Sequence, residues 1–107
     1  MKTIARLSLA VLAVAFVLSV SSFAADSGAD LYKAKCASCH GAEGKGDTAM
    51  GKSMKLKDLA SDDVQKMSDT DLATIIEKGK KPMPAYEGKL TKDQITEVVK
   101  YIRSMKK

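Results

Sequence analysis

Residues 36–40 read Cys36-Ala37-Ser38-Cys39-His40, and they hold both cysteines and the single histidine of the 107-residue chain. Two cysteines three positions apart lie on one face of a helix end, so their sulfurs can reach two vinyl groups on neighbouring pyrroles. The next residue then places an imidazole nitrogen beneath the metal of the same ring. This spacing is the attachment signature for a c-type haem. Three other uses of these residues compete. A disulfide between Cys36 and Cys39 would close a tiny loop and constrain the unfolded chain little. A thioredoxin-like dithiol needs a βαβ unit around it, but here a helical segment precedes the motif and a glycine-rich loop follows. A zinc site would find only three Cys and His ligands and would need a carboxylate.

Working outward, the N-terminus has the layout of an export signal. Lys2 and Arg6 precede an uncharged apolar run over residues 7–20, and small residues stand at Ser22 and Ala24. This predicts a secretory signal peptide over residues 1–24, cleaved after Ala24, and a mature domain over residues 25–107. The run is shorter than the roughly 20 apolar residues a spanning helix wants. No cysteine sits at the cleavage point to take a lipid, and no later run approaches membrane length. The mature chain is therefore expected in the periplasm, exported and soluble, with no stable membrane insertion.

Loss of Lys2 and Arg6 lowers the formal charge from +5 to +3. Both phenylalanines, Phe16 and Phe23, leave with the leader, so Tyr32, Tyr86 and Tyr101 are the only mature aromatics. So small a domain is marginal on surface-to-volume grounds. A large apolar cofactor is predicted to help fill its centre. The modest charge, the interspersed acids and export all argue against nucleic-acid binding.

The periodicity predicts an all-α domain: three main helices plus short helices and loops. Residues 26–39 read as the first helix, with Tyr32, Cys36 and Cys39 on one face. Gly41, Gly44, Gly46 and Gly51 mark a loop, where Gly44 and Gly46 either let backbone approach the ring or simply make turns. Segment 52–60 reads as a turn or short helix, and 61–67 as a short helix. Ser68 with Asp71 predicts a capping box for a helix that ends at Gly79. Pro82 and Pro84 make residues 80–89 a loop. Thr91 with Gln94 opens a final helix whose stripe is Ile95, Val98, Val99, Ile102 and Met105.

An iron with one histidine needs a sixth ligand or keeps an open site. Met50, Met54, Met67, Met83 and Met105 are the mature candidates. Met105 fits the last helix's apolar stripe, Met67 reads as packing, and Met50 and Met54 follow the motif on its histidine side. Met83, in Lys81-Pro82-Met83-Pro84, is flanked by prolines that restrict the backbone. A stiff loop lowers the entropy cost of holding one thioether over a metal, so Met83 is the expected partner of His40. Gln65 and Tyr86 read equally as cofactor contacts or surface residues.

These pieces together resemble the small, soluble, monohaem bacterial class I cytochromes c. The resemblance rests on the 36–40 motif, the Gly41–Gly46 loop, Lys81-Pro-Met-Pro-Ala-Tyr86, and Lys89-Leu-Thr-Lys-Asp-Gln-Ile95 leading into Tyr101-Ile-Arg103. It covers essentially the whole mature chain. It implies one covalent haem c held by thioethers from Cys36 and Cys39, with His40 and Met83 as axial ligands, and loops wrapped around that haem. It also implies that Gly28 and Tyr32 pack across the last helix near Tyr101. The sequence departs from the family in having no proline shortly after the motif, where Ala49 stands. A backbone carbonyl from segment 47–52 is then the expected acceptor for the His40 Nδ1–H.

The expected function is one-electron transfer between redox proteins, not catalysis. Histidine and methionine together leave no easy position for peroxide or oxygen and raise the reduction potential. Lys78, Lys80, Lys81 and Lys89 flank the Met83 loop and predict docking on acidic faces of redox partners, by a monomer. If Met83 is not a ligand, the same site predicts a haem peroxidase or gas-binding protein. A haem subunit of a larger oxidoreductase is a further alternative.

Overall fold

The computed structural model describes residues 27–107. The leader and its cleavage point lie outside the described residues. The domain is all-α, as the periodicity predicts, and follows the order α1 Gly28–Lys35, α2 Ala37–His40, α3 Ala49–Met54, α4 Asp62–Gln65, α5 Asp69–Lys78 and α6 Lys92–Ser104. Two isolated bridges, Lys80 to Met83 and Glu87 to Leu90, are the extended pairings among the described residues.

Capping fixes where most of these helices begin. Ser27, Thr48, Ser68 and Thr91 each accept a backbone N–H of the first turn they precede. At α6 the box closes both ways, because Gln94 Oε1 accepts the Thr91 N–H at 2.8 Å. The Ser68–Asp71 box is half made: Ser68 Oγ takes the Asp71 N–H, and no return bond from the Asp71 carboxylate forms. The first helix differs from its expected length. It breaks at Cys36, whose φ of −116° bends the chain before α2.

α1 and α5 both pack on α6. The core they share includes Leu31, Tyr32, Leu72, Ile76, Val98 and Ile102. The α1–α6 crossing depends on Gly28. A Cβ there would run into the Glu97 carbonyl and stand 3.1 Å from Tyr101 Cβ. The Tyr32 and Tyr101 rings meet alongside it, 5.2 Å between centroids and tilted by 51°. The packing implied by the class I resemblance is thus present.

This crossing yields a prediction in which two effects oppose. Gly28→Ala gains about 1 kcal/mol of helix propensity. The new methyl meets a backbone carbonyl that cannot swing aside, and overpacking of that kind costs about 1–3 kcal/mol or more. We expect net destabilisation, seen as an earlier midpoint in denaturant; a later midpoint would mean that the helices separate freely.

Candidate haem-binding site

The site begins at the break in the first helix. Cys36 caps α1, and Cys39 and His40 end α2, so one short bend carries all three side chains. Both cysteines are free and half-buried. Burial pushes the Cys36 thiol up to about 11, with the nearby Cys39 adding a smaller push the same way. The bend is held from behind: Tyr32 Oη donates to the Gly41 carbonyl at 2.7 Å, and Thr48 Oγ1 donates to the Cys39 carbonyl at 2.6 Å. Thr48 was not singled out by sequence reading, although its position before a short helix is a cap signal.

Met83 comes from the loop between α5 and α6. α5 stops at Gly79, whose φ of +77° suits glycine and whose N–H returns to the Ile75 carbonyl. A Cβ at Gly79 would also lie 2.8 Å from the Ala85 nitrogen and 2.9 Å from the Met83 oxygen. The chain then closes a tight turn in which Lys80 N–H donates to the Met83 carbonyl at 3.1 Å and Met83 N–H donates to the Lys80 carbonyl at 2.7 Å. Both backbone groups of Met83 are therefore fixed before its side chain is considered.

Cys36, His40 and Met83 meet across one apolar slot. All three line a cavity of about 160 Å³, open on one side, with walls that include Leu59, Val64, Leu72, Ile76 and Val98. The same three line a second opening of about 220 Å³ beside it, with Cys39, Leu56, Pro82 and Tyr86. Core residues of α4, α5 and α6 thus face a space that no protein atom fills. In water such a face would forfeit about 25 cal/mol per Å² of apolar surface.

The donor set suits an iron porphyrin. Burial lowers the His40 pKa, which favours the neutral imidazole with a free lone pair. Its Nδ1 is sealed in protein and lacks a hydrogen-bond partner, leaving Nε2 as the ring atom for the slot. The carbonyl acceptor expected from segment 47–52 is not supplied. That segment winds into α3, and the carbonyls of Thr48, Gly51 and Lys52 accept the N–H groups of Lys52, Leu56 and Lys55. Among the described residues no three His, Cys, Asp or Glu side chains gather as a metal cluster.

The remaining methionines separate cleanly. Met67 lines the inner cavity and Met54 the outer one. Met105 packs against the core, and Met50 is 53% exposed. Gln65 turns inward, its Nε2 donating to the Leu59 and Ile102 carbonyls. Arg103 completes that bridge through Asp69, the Gln65 carbonyl and the Met67 carbonyl. Gly44 and Gly46 serve close packing against Leu59 and Leu56, not the slot. Lys35 and Lys57 line the slot mouth, a placement the sequence pattern did not signal.

Comparison with known proteins agrees with this geometry. Residues 23–102 match the family described as cytochrome C oxidase, cbb3-type, subunit III. Cytochrome c6 of Nostoc sp. is 37% identical over 89 residues, covering 81% of this chain and 78% of that protein. Cytochrome c6 of Picosynechococcus sp. is 33% identical over 109 residues, covering 95% and 92%. The solved structure of the KustC0563 c-type cytochrome superposes with a TM-score of 0.70 at 30% identity, over 76% of this chain and 99% of that one.

Proposed function

The chain belongs to the c-type cytochromes as a small class I member with one covalently attached haem c, and on that premise we propose that Cys36, Cys39, His40 and Met83 are the residues that hold it. The protein is an electron carrier and not an enzyme. When bound, the haem supplies an iron that takes up and gives back one electron. The convergence of Cys36, His40 and Met83 on one apolar slot is the observation that carries the residue assignment.

In this reading Cys36 and Cys39 would each add an S–H across a vinyl group of the haem, giving a thioether with no leaving group. His40 offers a neutral imidazole, and Met83 offers a weak thioether donor from a turn whose backbone is already ordered. With His40 and Met83 both bound to the iron, peroxide or oxygen would find no free position. The apolar walls disfavour extra positive charge, and the methionine sulfur acts in the same direction, so both raise the reduction potential. The test is the absorption spectrum of the oxidised holoprotein. It should show the weak long-wavelength band of sulfur-to-ferric charge transfer. Attached haem without that band would move peroxidase or gas-binding chemistry to the front.

In the same reading the carrier is a periplasmic monomer, its location supported by the signal-like layout of residues 1–24 with cleavage after Ala24. Among the described residues no helix is long and apolar enough to cross a membrane. Its partners are redox proteins, and the finer reading is that they dock through acidic faces. Lys80, Lys81 and Lys89 are exposed beside the Met83 turn, with Lys35 and Lys57 at the slot mouth. Lys78 contributes less, because Glu77 and Glu87 pair with it at 3.8 and 3.3 Å. Steering of this kind is screened by salt. The second-order rate with an acidic partner should fall roughly tenfold as ionic strength rises from about 0.01 to about 0.2 M. A flat salt profile would remove steering from the account.

A further inference from the structure

Tyr86 belongs to neither the attachment motif nor the ligand pair, yet it joins the two walls of the slot. Its hydroxyl donates to the Lys35 carbonyl at 2.8 Å, across 51 residues of chain. Lys35 ends α1 and immediately precedes Cys36. The break at Cys36 leaves that carbonyl without a backbone donor, because the Cys39 N–H turns to the Cys36 carbonyl instead. Tyr86 supplies the missing donor from the opposite side of the slot.

The other end of Tyr86 is anchored as firmly. Its N–H donates to the Ile76 carbonyl of α5 at 3.0 Å, and its carbonyl accepts the Lys89 and Leu90 N–H groups at 2.9 Å each. The ring lines the slot opening with Cys36, Cys39, Pro82, Met83 and Pro84, and Lys89 Nζ stands 5.8 Å from its centroid. Burial raises the pKa of the hydroxyl, so the donor form persists well into alkaline solution. Only two residues separate Tyr86 from Met83, and the segment between them contains Pro84. Met83 therefore cannot swing far from the slot while the Tyr86 hydroxyl stays on Lys35.

We propose that Tyr86 is a positioning residue that latches the Met83 loop to the end of α1, and so sets how readily an outside ligand displaces the Met83 sulfur. The inference rests on Met83 being the axial ligand. Tyr86→Phe keeps the ring and its packing but deletes the bond to Lys35. The hydroxyl acts as a brake on loop opening and touches no reacting atom.

The experiment is a titration of the oxidised holoprotein with imidazole, read by loss of the sulfur-to-iron band, with denaturant midpoints measured in parallel. Tyr86→Phe should bind imidazole about threefold to tenfold more tightly than wild type, the span that one net hydrogen bond gives. Thr96→Val removes a comparable bond, Thr96 Oγ1 to the Lys92 carbonyl at 3.0 Å, on the exposed face of α6. It should leave imidazole affinity unchanged. An unaltered affinity in Tyr86→Phe, or an equal rise in Thr96→Val, overturns the latch while the Met83 assignment stands. A wild-type protein lacking the band overturns both. Should Tyr86→Phe fail to fold, hydrogen exchange in wild type decides. Imidazole should speed exchange at the Tyr86 and Leu90 amides, and unchanged exchange there overturns the proposal.

Discussion

Serine at both positions 36 and 39 will leave the exported chain with no haem that survives a denaturing gel, and with much less helix than wild type. The first outcome follows from chemistry: a hydroxyl forms no thioether with a vinyl group. The second follows from the slot. Leu59, Val64, Leu72, Ile76 and Val98 are nearly sealed from solvent in the folded chain, yet they wall a space that no side chain fills. A domain of this size buries only about 60% of its unfolded surface and has little stability to spare. An apolar void at the centre of its core is a cost of several kcal/mol by the usual cavity slope of about 24 cal/mol per Å³. Circular dichroism and haem staining of the exported protein check both outcomes. Each single serine variant should keep one thioether and stain more weakly. Full staining of the double variant would sink the thioether assignment.

Met83→Ala will abolish the long-wavelength band and lower the reduction potential, by on the order of 0.1 V within the ≈ 0.8 V that axial ligands can span. The direction follows from losing a donor that favours the reduced metal. The size is large because the Met83 turn carries no second thioether to replace it. Met54→Ala and Met67→Ala are the informative controls, since Met67 lines the inner cavity and Met54 the outer opening that Met83 shares with each. Their bands and potentials should stay close to wild type. A band that survives Met83→Ala and disappears in either control would transfer the ligand role to that methionine. The Met83 variant should also gain imidazole affinity beyond anything Tyr86→Phe produces, because the competing sulfur is gone.

Several features were readable before any coordinates. The helix starts at Ser68 and Thr91 and the stop at Gly79 are local events. A hydroxyl reaching an N–H three residues on, or a backbone that needs positive φ, depends on neighbours in sequence alone. The apolar stripe of α6 is likewise a matter of period. The contact of Gly28 with α6 was legible only through the resemblance to the class I cytochromes c, which implies it. The start of α3 was missed for a different reason. Thr48 caps a six-residue helix within a stretch crowded with glycine, and so short a segment shows no period.

The sequence by itself determined the helical class and marked Cys36, Cys39 and His40 as the attachment motif to test, because apolar period and cysteine spacing are set along the chain. It also limited the methionine candidates for a sixth ligand to five. Only the tertiary structure decided the rest. It brought Met83 across the slot from His40 through a turn closed on Lys80. It left His40 Nδ1 without its expected acceptor, because α3 takes up the carbonyls of Thr48, Gly51 and Lys52. It turned Gln65 inward onto Leu59 and Ile102, and it set Tyr86 on the Lys35 carbonyl. The physical reason is common to all of these. Each depends on which donor and which acceptor are left over once the helices have formed and packed. A leftover group finds its partner by distance in space, and for Tyr86 and Lys35 that partner lies 51 residues away.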